Sequence, residues 1–263
     1  MITRIITAVV VLLVFLPATF LLPEAGWTIL ALLLTIAAAL EWARLTGLGS
    51  AATAIFAALV AISSLVVSDY PPAKLFVYGC ACIFWVLIAP YLLFKRVDMH
   101  KPVLSKFLGL ILLPAVFSAL VELRAISPGV LLAIMAVAWV SDSMAYFAGR
   151  AFGRHKLAPF ISPGKTWEGA FGGLAGVTIF AIICFEFGWK MTSFMSLAQI
   201  ILLWLVLGVA GIIGDLLESL MKRSAGVKDS GRVLPGHGGV LDRVDALLPI
   251  LPLAAIVHHY MVA

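Results

Sequence analysis

The sequence predicts an all-α, polytopic integral membrane protein with about nine transmembrane helices. Three observations carry that prediction. Of the 263 residues, 63% are hydrophobic and 12% charged, and mean hydropathy is +1.14; soluble domains are roughly half apolar and a quarter charged. The apolar residues fall into runs close to the ~20 residues that a helix needs to cross a bilayer. Finally, Lys and Arg concentrate in alternate loops, as they do when basic residues are retained on the cytoplasmic side.

In order, the runs are 5–22, 27–43, 51–68, 75–94, 105–121, 129–148, 168–188, 197–220 and 244–261. Short polar breaks divide them. The first run follows Arg4, like a signal peptide, but a second run comes almost at once and no convincing small-x-small cleavage site intervenes, so it is read as a span. With the N-terminus inside, the inner segments hold 15 of the 18 Lys and Arg residues, and the outer ones only Lys74, Arg124 and Lys190. The reading is therefore a multi-pass protein of the cell (cytoplasmic or inner) membrane. Residues 1–263 form a single membrane domain, in which 1–128 are N-terminal spans and 129–263 carry the cytoplasmic loops of a catalytic site.

Several other classes fall away. A net charge of +5 belongs to loops and forms no basic face on a soluble module, so nucleic acid is not an expected partner. Cys80, Cys82 and Cys184 lie inside apolar runs and read as fillers, not as a disulfide or metal framework. Trp27, Trp42, Trp85, Trp189 and Tyr70 suit interfacial belts and packing. Gly169, Gly172, Gly173 and Gly176 give small-xxx-small spacing at the start of the seventh run, where a neighbouring helix can approach closely or a homodimer can form.

Chemistry is expected where ionisable side chains enter the spans, since each costs roughly 2.5–3.5 kcal/mol or more to insert. Asp142, Asp215 and Glu218 are the deep ones. Glu218 and Lys222 are spaced for an i,i+4 ion pair, whereas Asp215 has no basic residue at i+3 or i+4 and is better matched by a metal ion or a charged substrate. Ser219, Lys222 and Arg223 follow Asp215 along the same face. The next loop adds Lys228, Asp229, Arg232, His237, Gly238 and Gly239, a mixture of cations and turning backbone suited to a nucleotide's phosphates. Asp242 and Asp245 then open the last run at i and i+3. Either they start the helix, as an N-cap and a first-turn acid, or they join Asp215 around a divalent cation. His100, His155, His258 and His259 read as interfacial.

The stretch SLMKRSAGVKDSGRVLPGHGGVLDRVD, from Ser219 to Asp245, resembles the signature of the phosphatidate cytidylyltransferases, or CDP-diacylglycerol synthases. A second segment is also similar: Ser141-Asp142 through Tyr146 to Gly149-Arg150, followed by Ser162-Pro-Gly-Lys165-Thr166-Trp167-Glu168-Gly169. It departs at Gly164, where the family more often has a basic residue. Gly164-Lys165-Thr166 is not a nucleotide-binding P-loop, because Pro159 stands where that motif needs Gly. The likeness is good over residues 135–263 and limited to hydropathy and length before them.

The resemblance implies an enzyme that joins CTP to phosphatidic acid, giving CDP-diacylglycerol and pyrophosphate. By it, Asp215, Asp242 and Asp245 bind Mg²⁺. Lys222, Arg223, Lys228, Arg232 and Arg243 clamp CTP or the lipid phosphate, with Ser219 and His237 as polar contacts. Asp142, Lys165, Thr166, Asp229, Gly238 and Gly239 are counted with the substrate site. It also implies a second, monovalent cation such as K⁺, on which the residues are silent. Two alternatives stay open: a CTP-dependent lipid kinase related to dolichol kinase, which releases CDP, and a transporter of phosphorylated solutes, against which stands the lack of an inverted repeat.

Overall fold

A computed structural model of the chain describes residues 2–100, 102–187, 195–233, 236 and 238–262. The chain runs through α1 (Ile2–Leu21), α2 (Glu24–Leu45), α3 (Ser50–Asp69), α4 (Pro71–Ile83), a π-helical turn (Phe84–Ile88), α5 (Ala89–Lys95), α6 (Val103–Ile126) and α7 (Pro128–Phe152). A hairpin of β1 (Lys156–Ala158) and β2 (Ser162–Thr166) follows, then α8 (Trp167–Glu186), α9 (Leu197–Ser224), α10 (Leu241–Val244) and α11 (Leu247–Val262).

Among the described residues, seven helices are long and apolar enough to cross a membrane, counting Pro71–Lys95 as one, and this is a multi-pass membrane protein. The first and last expected runs are represented by shorter apolar stretches, Leu12–Leu21 and Leu247–Met261. The last is shortened because the chain turns at Asp245 and Ala246 instead of continuing from α10. One feature departs from an all-α expectation: the two-stranded antiparallel hairpin, which pairs Lys156 with Thr166 and Ala158 with Ser162.

Local chemistry sets the element ends. Ser127 caps α7 by accepting from the Gly129 amide at 3.3 Å, with Pro128 pre-set for the first turn. Thr166 ends β2 and caps α8 through the Gly169 amide at 3.1 Å. Ser196 and Gln199 make a reciprocal capping box at the start of α9. Pro90 lacks the amide that would continue a regular ladder, and the π-helical turn lies over that position.

Tryptophan anchors α2. Trp27 and Trp42 are buried and donate to the Leu120 and Ser105 carbonyls of α6 at 3.2 and 2.9 Å, so here they pack the interior and do not form a belt. At the end of the bundle away from the signature loop, Glu122 meets Lys74 at 3.3 Å and accepts from the Tyr78 hydroxyl at 3.1 Å, joining α6 to α4.

The closest helix pair is α7 with α8. Gly169, Gly173 and Gly176 are buried against Ser141, Met144 and Ala145, and a Cβ on Gly172 would overlap that of Ala148. The glycine face is therefore occupied within the chain, by van der Waals packing of the kind that holds membrane helices together. This contact brings together the two ends of the segment that carries the hairpin. Replacing Gly172 with Leu should cost about 1–3 kcal/mol of overpacking. Thermal unfolding in detergent should show a lower midpoint, partly restored when Ala148→Gly is added to the same chain.

Candidate active site

The signature side chains divide into three groups. The first surrounds Asp215, on the last turns of α9. Lys165, on β2, places its ammonium 2.5 Å from Asp215 Oδ2, and Ser219 Oγ donates weakly to Oδ1 at 3.4 Å. Asp215 therefore has a cationic partner after all, supplied by the hairpin and not by its own helix. Asp142 of α7 and Asp245, at the α10–α11 turn, lie close enough to act on Asp215 and on each other. Gly214 makes that approach feasible, since a Cβ there would press on the Asp245 carbonyl and Pro249. Burial first, and then the Asp215 charge, push the Asp245 carboxyl above the usual carboxylate range.

Of these residues, Asp142 and Lys165 line a cavity of about 420 Å³, together with Tyr146, Arg150, Thr166 and Ile212, among others. Arg150 donates to the Tyr146 hydroxyl at 3.0 Å. Around it, Phe147, Trp167 and Phe171 are exposed on helices of membrane-spanning character. Glu168 holds the base of the hairpin, accepting from the Arg154 amide at 3.1 Å and meeting His155 Nδ1 at 2.6 Å. Thr166 faces the cavity while its hydroxyl is engaged in capping α8.

A second group centres on Lys222. Its ammonium pairs with Glu218 one turn back, as the spacing predicts, and with Asp242 Oδ1 at 2.6 Å. Asp242 Oδ2 accepts from the Ser230 amide at 2.9 Å, the Ser230 hydroxyl at 2.9 Å and the Gly239 amide at 2.8 Å. Burial opposes ionisation of Asp242, yet Lys222 and these amides outweigh it and hold the carboxyl at about 2. The expected trio of Asp215, Asp242 and Asp245 thus separates. Asp242 has both oxygens committed to holding the loop, and the carboxylate that joins Asp215 and Asp245 is Asp142. Among the described residues, no three His, Cys, Asp or Glu side chains are already gathered as a metal cage.

The third group faces a cavity of about 590 Å³ lined by Arg44, His100, Lys228, Asp229, Gly231 and Arg232, among others. His100 donates from Nδ1 to the Leu45 carbonyl at 2.8 Å, which ties the 96–102 connection to the end of α2. Arg223 reaches from α9 to the Ile161 carbonyl at 3.4 Å and so braces the hairpin tip. Arg243 is exposed on α10, and Gly238 takes a positive φ of 80° against the Asp242 carboxylate. His237 lies outside the described residues.

Three residues were not anticipated: Glu41, Arg44 and His100. Glu41, on α2, is 1% exposed and accepts from Ser230 Oγ at 2.9 Å, Val240 N at 3.1 Å and Leu241 N at 2.8 Å. A lone Glu near the end of an apolar run is a signal that insertion cost could have flagged. Arg44 and His100 had no comparable signal.

Lys222 is the counter-ion of two carboxylates that are 1% and 5% exposed. Removing one partner of a buried pair costs about 3–5 kcal/mol, so Lys222→Met should melt well below the parent. Lys165→Met, at a site whose side chains are 26% and 24% exposed, should melt much nearer to it.

Known proteins resemble this chain. The sequence model of the Cytidylyltransferase family matches residues 2–261. A phosphatidate cytidylyltransferase of Pseudomonas aeruginosa is 36% identical over 272 residues, covering 96% of this chain and 94% of that protein. Proteins of the same name from Haemophilus influenzae and Staphylococcus epidermidis are 42% and 46% identical over 132 and 120 residues, or 50% and 46% of this chain and 46% and 45% of theirs. The match spans both halves of the chain, the N-terminal helices that supply Glu41 and Arg44 as well as the signature loop. The chain belongs to the cytidylyltransferase family.

Proposed function

We propose that the protein is a phosphatidate cytidylyltransferase, transferring the cytidylyl group of CTP to phosphatidic acid and releasing pyrophosphate. The observation that carries this reading is the placing of Asp142, Arg150 and Lys165 on one cavity, with Lys165 paired to Asp215, in a chain similar end to end to a relative of that name. A lipid phosphate can enter from the side, its acyl chains remaining in the bilayer. The polar cavity of Arg44, His100, Lys228 and Arg232 suits the nucleotide phosphates. In this reading α1 and α11 also cross the membrane, which makes nine spans, and the basic loops with the active site face the cytoplasm. The membrane is the cell membrane.

The chemistry requires little acid–base help. An oxygen of the anionic lipid phosphate attacks the α-phosphorus of CTP; the bond from that phosphorus to the β-phosphate oxygen breaks, and its electron pair leaves with pyrophosphate. No proton has to be removed from the nucleophile. What the residues must do is hold two mutually repelling anions in line and exclude alternatives, which Lys165, Arg150, Lys228 and Arg232 do by charge and position. Asp142, Asp215 and Asp245 offer hard oxygen donors with one ammonium among them, a fit to Mg²⁺. Mg²⁺ held there, chiefly by Asp215 and Asp245, would neutralise charge developing on the phosphates. The same acidic corner would take a second, monovalent cation such as K⁺. CTP, phosphatidic acid and the bilayer are the partners in this proposal.

Purified protein given CTP, phosphatidic acid and Mg²⁺ should release pyrophosphate and form a liponucleotide. Release of CDP would instead identify a lipid kinase. Asp215→Asn should lower the rate by at least ~100-fold, and a variant as active as the parent would remove Asp215 from the mechanism. Because the Asp245 carboxyl is raised, protons compete with the cation around neutral pH. The Mg²⁺ concentration giving half-maximal rate should therefore fall as pH rises from about 6 to 8, and a requirement independent of pH would exclude Asp245 as a donor.

A further inference from the structure

We infer that Glu41 is a positioning residue for the reaction: a buried carboxylate on α2 that sets the path of the signature loop from Ser230 to Asp242. It does not line the cavities described above. Its carboxylate takes the Val240 and Leu241 amides and shares the single proton of the Ser230 hydroxyl with Asp242. The loop is built around it. A Cβ on either Gly231 or Gly239 would overlap the Glu41 carboxylate, so both glycines let the backbone close over it.

Ser230 is the junction. Its hydroxyl lies 2.9 Å from Glu41 Oε2 and 2.9 Å from Asp242 Oδ2, while its amide and that of Gly239 also donate to Asp242. Asp242 in turn orients Lys222, and Asp245 follows one turn later beside Asp215. Glu41 therefore acts on the reacting region through Ser230 and the direction of α10. A charged side chain 1% exposed in a helix of membrane-spanning character is costly unless its partners repay the desolvation. Here the repayment comes from Ser230, Val240 and Leu241 among the described contacts, so α2 holds both ends of the loop.

The activity arm of the test rests on the cytidylyltransferase reading; the exchange arm does not. Glu41→Ala and Glu41→Gln are compared with the parent for kcat, for KM toward CTP and phosphatidic acid, for melting temperature, and for hydrogen–deuterium exchange of residues 238–244. Glu41→Ala should lower kcat by ~100-fold, the scale expected when reacting groups shift by about 1 Å, with both KM values within about threefold. Glu41→Gln keeps one acceptor oxygen and should recover about tenfold of that loss. Exchange at 238–244 should accelerate in both. If Glu41→Ala does not fold, Glu41→Gln and Ser230→Ala carry the test: each should lose kcat at a temperature where the variant is still fully folded, and the double variant should lose no more than about twice the larger single loss, because both act through one contact.

Parental kcat in Glu41→Ala or Glu41→Gln overturns the inference. So does a loss that only tracks the unfolded fraction, a loss with unchanged exchange, or losses that multiply in the double variant. A parent without cytidylyltransferase activity overturns the functional reading alone, and the exchange result still decides the role of Glu41.

Discussion

An ammonium shared by two buried carboxylates decides how the last third of the chain is arranged. Lys222 meets Glu218 on its own helix and Asp242 at the start of α10, so the end of α9 and the return of the chain are tied at one point. On a soluble surface such pairs add little. Where the carboxylates are nearly inaccessible, separating them leaves charge without compensation, and that penalty keeps the ends together. Asp245 then has no freedom to stand elsewhere: three residues after Asp242 it turns toward α9 and lands by Asp215. A structural ion pair thus places a second acidic cluster beside it.

That second cluster carries the functional argument. Asp142, Asp215 and Asp245 have one close ammonium, Lys165, among them, and an excess of negative charge at the end of membrane helices is unfavourable until something positive arrives. In the proposed reaction, a cation would pair with the carboxylates and Lys165 would be free to meet a phosphate oxygen. The division of labour between the acidic groups follows from burial and partners. Asp242, saturated by Lys222 and three loop donors, builds the site, whereas Asp215 and Asp245 retain capacity for a ligand.

Features governed by local pattern were legible in the sequence. The apolar runs became helices, the i,i+4 spacing of Glu218 and Lys222 became an ion pair, and the glycine repeat of α8 became a close helix contact. Partners joined by long-range folding were not. Nothing in the spacing of Lys165 and Asp215, or of Glu41 and Ser230, 189 residues apart, announces a contact. The hairpin was equally hidden: β1 and β2 are three and five residues long, without alternating hydrophobicity, and are held by Glu168 at their base. For the same reason the partners of the acidic residues were hidden. Asp242 shares a helical spacing with Asp245, but its partners are fixed by the loop, while Asp142 comes from α7.

The first half of the chain, whose likeness to the family rested on hydropathy and length, is no passive scaffold. Signature residues from Ser219 to Asp245 bring charge and flexible backbone, and a loop with that composition has many accessible conformations. It becomes a site only when some of its polar groups are given obligatory partners away from solvent. Glu41 supplies such partners from a helix anchored by Trp27 and Trp42 against α6, so the rigidity of the N-terminal core passes into the loop by hydrogen bonds to Ser230, Val240 and Leu241. The placing of Ser230, Val240 and Leu241 is thus borrowed from a helix remote in sequence.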